Sequence, residues 1–120
     1  MNLHELGVAE VLSGLARREF SSRELTQHLL TRITLHSEMG NFLCVNAESA
    51  MAQAAQADAR LARGQGGPLE GVPIAHKDIF VTDFARTGLP TTAGSKILQG
   101  YASPFDATVV ARLADRKSNV

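Results

Sequence analysis

The chain has 120 residues, of which 44% are hydrophobic and 20% charged, and its twelve basic and twelve acidic residues cancel to a formal net charge of zero. That length suits one domain or part of one. The balance is that of a soluble globular protein, and the lack of a net positive field argues against direct nucleic-acid binding while leaving RNA contact through a partner open.

The acid-bearing start, MNLHELGVAEVL, is no secretory leader, and no apolar run approaches the ~18–20 residues of a membrane span. The expected compartment is the cytoplasm. Leu6, Val8, Val11, Leu12 and Leu15 recur mostly at three- and four-residue spacing, which predicts a short helix near residues 4–18. Ser21 and Glu24 form a capping-box signature, and Leu25, Leu29, Leu30 and Ile33 mark a second helix over about 22–37. Two helices joined by a serine turn read as a helical hairpin, residues 1–39. Gly40 stops it.

Residues 41–45, NFLCV, predict a short strand with Cys44 as a small buried apolar residue. A lone cysteine forms no internal disulfide, and no Cys/His pair has zinc spacing. Asn46 caps an alanine-rich helix that runs to Arg63, and GQGGP at 64–68 ends it. The β-branched texture of 72–82 predicts a strand, TGLPTTAGS at 87–95 a loop, and Asp106 the cap of a last helix from Ala107 to about Ala114. The fold class is therefore α/β, with 40–114 supplying the first strands and helices of a core and 115–120 an atypical tail. Few strands serve many helices.

The segment PLEGVPIAHKDIF at 68–80 places three ionisable side chains in an apolar run. On a strand, Lys77 shares a face with Ala75 and Ile79, while His76 and Asp78 share the other with Ile74 and Phe80. Two readings stand. Lys77 lays its stem on apolar surface with its amine in water, or it is buried and held neutral, able to take a proton from a serine hydroxyl. Asp78 reads as a structural carboxylate or as half of a His76–Asp78 pair, and His76 otherwise as a packed, hydrogen-bonded ring. TTAGSK at 91–96 lacks the spacing of a phosphate-binding loop, and Ser95 has no base beside it in sequence.

GPLEGVPIAHKDIFVT at 67–82, TTAGSKIL at 91–98 and SPFDATVVARL at 103–113, with FSSRELTQHLLTRI at 20–33, resemble the amidase signature family. Among its members they are most similar to the A subunits of glutamyl-tRNA(Gln) amidotransferases, over about residues 3–114. The resemblance implies an α/β fold around a large mixed sheet and a Ser–cis-Ser–Lys triad whose base is at Lys77. It implies ammonia release from glutamine, with B and C subunits as partners. The B subunit would bind tRNA and use ATP with Mg2+, no cofactor resting on this chain. Whether glutamine or asparagine formation is served is left open.

The resemblance also implies triad serines in a Gly/Ser-rich segment that this chain lacks. Arg116-Lys117-Ser118-Asn119 stands where a family member continues through a strand and a Gly-Lys-Thr-Asn stretch. A truncation, a shifted frame or a partial gene would each produce this, and the 120-residue polypeptide is expected to be inactive alone and poorly stable. The alternatives are a piece of a stand-alone small-amide amidase and a non-catalytic product acting through its helical hairpin.

Overall fold

The computed structural model describes Met1–Val120 in full. A 3-10 turn at Leu3–Glu5 precedes helix α1, Val8–Ala16. The single helix expected near 4–18 is thus split. Gly7 takes extended backbone at the break, and its N–H donates to the Glu10 carboxylate at 2.7 Å, which starts α1 afresh.

Helix α2, Ser22–Leu35, begins as its capping box predicts. Ser21 Oγ accepts the Glu24 N–H at 3.1 Å, and Glu24 accepts the Ser21 N–H at 2.7 Å. The two further free N–H groups of this end, on Ser22 and Arg23, donate to the Asp58 carboxylate at 2.7 and 3.1 Å. An anion at the positive end of the helix dipole thus ties α2 to the alanine-rich helix that follows. Helix α3, Ala47–Ala62, starts at Asn46, whose side chain accepts the Ser49 N–H. Ala54 and Ala57 are fully buried where α3 runs along α2, because their small side chains allow close approach.

Val11, Leu15, Phe20, Leu25 and Val72 form the core, so α1, the start of α2 and the 69–74 segment meet at one point. Gly71 lets that segment in. Its φ of +75° suits glycine, and a Cβ there would lie 2.9 Å from Ser22. Ser22 Oγ donates to the Gly71 carbonyl at 2.8 Å and accepts from Asn119 Nδ2 at 2.9 Å. Glu70, 1% exposed, receives Arg60 Nε and Nη2 at 2.9 and 2.6 Å and the Gly67 N–H at 2.9 Å.

After a four-residue helix α4, Phe84–Thr87, and helix α5, Thr108–Asp115, residues 116–120 lie parallel to 69–74. Leu69, Gly71 and Ile74 donate to the carbonyls of Arg116, Lys117 and Asn119, and Asn119 donates back to Val72. Only the Pro73–Asn119 pair qualifies as a β-bridge.

Four expectations need correction. The strands predicted at 41–45 and within 72–82 do not form ladders, since a strand exists only where a second chain segment pairs its N–H and C=O groups. The regular structure of the chain is helical. Cys44 is exposed, because no sheet face forms to cover NFLCV. Asp106 does not cap α5: its oxygens take the Asp83 N–H at 2.6 Å and Arg86 Nη2 at 2.9 Å, and α5 starts beyond Ala107 without a side-chain cap.

Candidate functional site

The segment 74–80 borders an open cleft of ≈ 1130 Å³, whose walls include Phe42, Leu43, Ile79 and Phe80. Residues 74–77 have no regular structure, and a turn follows in which the Phe80 N–H donates to the Lys77 carbonyl at 3.0 Å. Ala75, Lys77 and Ile79 are exposed, while Ile74, His76 and Asp78 are partly covered. The expected division of faces is met as a difference in exposure from Ile74 to Ile79 and fails at Phe80, which is exposed because the chain turns there.

Lys77 lines the cleft and is exposed. Of the two readings of Lys77, the buried one is not found within these 120 residues, since Ala75, Lys77 and Ile79 are all left uncovered. No carboxylate lies within ion-pair distance of its amine.

Asp78 is partly covered. Its carboxylate accepts the Thr92 N–H at 2.8 Å and the Thr92 hydroxyl, and its carbonyl accepts the Ala93 N–H at 2.8 Å. The side-chain bond from Thr92, followed by the backbone bond, holds the Asp78 carboxyl below its ordinary value. The structural-carboxylate reading of Asp78 is the one found. A His76–Asp78 pair does not form.

His76 packs toward the Arg86–Asp106 pair, and its buried Nε2 has no partner, so the expected hydrogen bond at that atom is missing. Burial, then the Arg86 guanidinium, push its pKa down against the opposing pull of Asp106.

The 91–96 loop is no phosphate cradle. The N–H groups of Thr92 and Ala93 are spent on Asp78, and that of Gly94 goes to the Thr92 hydroxyl at 3.2 Å. Ser95 accepts the Ile97 N–H at 3.3 Å and stabilises its own turn. Nothing in the sequence singles out Thr92. Its partner lies fourteen residues earlier, and no local pattern joins them. No group of three or more His, Cys, Asp or Glu side chains could hold a metal ion, and no helix is long and apolar enough to cross a membrane.

A family model described as Amidase matches residues 24–117. The chain is 52% identical over 112 residues to the A subunit of the glutamyl-tRNA(Gln) amidotransferase of Burkholderia thailandensis, and 53% identical over 111 residues to that of Burkholderia vietnamiensis. These alignments cover 93% and 92% of this chain but 22% of each relative, so the chain spans about a fifth of their length. Among solved structures, the native peptide amidase of Stenotrophomonas maltophilia superposes with a TM-score of 0.87 at 32% identity, over 97% of this chain and 24% of that one. A chain from a vestigial protein complex linked to the origins of an s-triazine catabolic enzyme gives 0.84 at 32% identity, over 95% and 25%.

Proposed function

This chain belongs to the amidase family, and from that premise we propose that it is the amino-terminal part of the A subunit of a tRNA-dependent amidotransferase, the component that frees ammonia from glutamine. The observation that carries this reading is the 52–53% identity to such subunits across nearly the whole chain, against 32% to the peptide amidase.

In this reading Lys77 is the triad base. Its amine takes the proton of a bridging serine, which takes that of a second serine as its Oγ attacks the glutamine carboxamide carbon. The C–N bond breaks, ammonia leaves with the proton returned by the relay, and water later releases glutamate. Both serines would lie outside these 120 residues. The exposed face of Ala75, Lys77 and Ile79 is the place where the remaining length of such a protein would pack, excluding water and holding the amine neutral. Ammonia would pass to a B subunit that binds tRNA and uses ATP with Mg2+ to convert Glu-tRNA(Gln) to Gln-tRNA(Gln), with a C subunit bracing the pair. The asparagine route uses the same amide chemistry. The work would be cytoplasmic.

A second reading, part of a small-amide amidase, draws on the TM-score of 0.87 to peptide amidase. One experiment separates the two. Residues 3–114 replace the matching segment of the Burkholderia thailandensis relative, and the chimera is assembled with its B and C subunits. We expect glutamine-dependent ammonia release from the chimera and at least a thousandfold loss in Lys77→Ala. The 120-residue polypeptide alone should release none. Hydrolysis of peptide amides in place of glutamine would favour the second reading, and an active Lys77→Ala chimera would remove Lys77 from the chemistry.

A further inference from the structure

The strongest tie on the Lys77 segment is made by its neighbour. Asp78 is gripped at both its side chain and its carbonyl by Thr92 and Ala93. The Thr92 hydroxyl then accepts the Gly94 N–H, and the Thr92 carbonyl accepts the Ser95 N–H at 2.8 Å. Four consecutive residues, 92–95, thus hang on one side chain and one carbonyl.

The turn they make is a demanding one. Ala93 and Gly94 have φ of +51° and +70°, and the left-handed conformation is strained at an alanine, so it persists where surrounding bonds enforce it. Asp78 is partly covered while Lys77 is exposed, and no hydrogen bond or ion pair joins the Asp78 carboxylate to the Lys77 amine. Asp78 can therefore immobilise the backbone without touching the lysine amine.

We propose that Asp78 is a positioning residue: by clamping the 92–95 turn it fixes the backbone beneath Lys77, so that a long, flexible side chain is presented to the cleft from a stationary Cα. This rests on the reading of Lys77 as the base. A reacting group displaced by about 1 Å loses on the order of 100-fold in rate, so the clamp has a kinetic signature. Thr92 shares the role through its hydroxyl.

The test uses the chimeric enzyme assembled with its partner subunits and, in parallel, the 120-residue chain. Asp78→Asn should lower kcat for ammonia release by about 100-fold with KM for glutamine within about twofold, since orientation rather than substrate contact is lost. Thr92→Val should lower kcat by about tenfold, and Thr92→Ser, which keeps the hydroxyl, should restore it. In the 120-residue chain, Asp78→Asn should speed amide exchange at Thr92 and Ala93 at least tenfold while leaving α2 and α3 unchanged. Wild-type kcat in Asp78→Asn, alongside an inactive Lys77→Ala, overturns the inference and leaves the base assignment intact. An active Lys77→Ala chimera removes both. If Asp78→Asn does not fold, equal kcat in Thr92→Val and Thr92→Ser overturns it.

Discussion

His76 shows how one side chain registers its surroundings. Its ring is partly buried beside the Arg86 guanidinium, and both effects favour the neutral form over the effect of Asp106. A histidine whose folded pKa lies below the unfolded one stabilises the fold fully above the unfolded value of 6.5, and that contribution is lost as pH falls through the folded value. Thermal denaturation of the 120-residue chain should therefore show a decline in Tm as pH drops below about 6.5. His76→Gln, neutral at every pH, should flatten that part of the curve. An unchanged slope would mean that another group titrates. Asp78 behaves in the opposite region. Its depressed carboxyl pKa makes its contribution complete at neutral pH, with loss confined to acid below its ordinary 3.8.

At the scale of elements, helix ends and the polar ties between helices decide the arrangement. The carboxylate of Glu70 is almost fully buried and joins the loop after α3 to Arg60 near that helix's end, with the Gly67 N–H on its second oxygen. Removing one partner of such a pair strands the other charge, at a cost of roughly 3–5 kcal/mol. Arg60 is partly solvated, so the lower end applies to Glu70→Ala, about 3 kcal/mol, measured as a fall in the urea midpoint. Replacing Arg60 and Glu70 together by Leu and Met should recover part of that loss. The element readings that held, the Ser21–Glu24 box and the Asn46 cap, rest on bonds three residues apart. Their partners travel together in the sequence, so their letters suffice. Asp106 carried the same kind of letter, yet Arg86 and the Asp83 N–H, twenty and more residues away, outcompeted its own helix.

The whole molecule exposes 7515 Å². A compact monomer of 12.8 kDa exposes about 6,300 Å². The excess is apolar in part: Leu43 is 76% and Ile97 94% exposed, and Phe42, Ile79 and Phe105 are also open. Surfaces of this kind associate or bind hydrophobic probes. The isolated 120-residue polypeptide should therefore enhance ANS fluorescence and show a concentration-dependent mass in sedimentation. Leu43→Lys with Ile97→Lys should reduce both. A monodisperse monomer with no dye binding would contradict this.

Letters alone were enough for the helices at 22–35, 47–62 and 108–115, for two of the three expected side-chain caps and for the family motifs, because these depend on contacts between residues a few positions apart or on side-chain identity alone. Tertiary structure alone decided that the extended segments lack ladders, that Cys44 and Lys77 face outward, and that Thr92 closes on Asp78. Strand pairing and burial are properties of two surfaces meeting, and a single stretch of chain specifies only one of them.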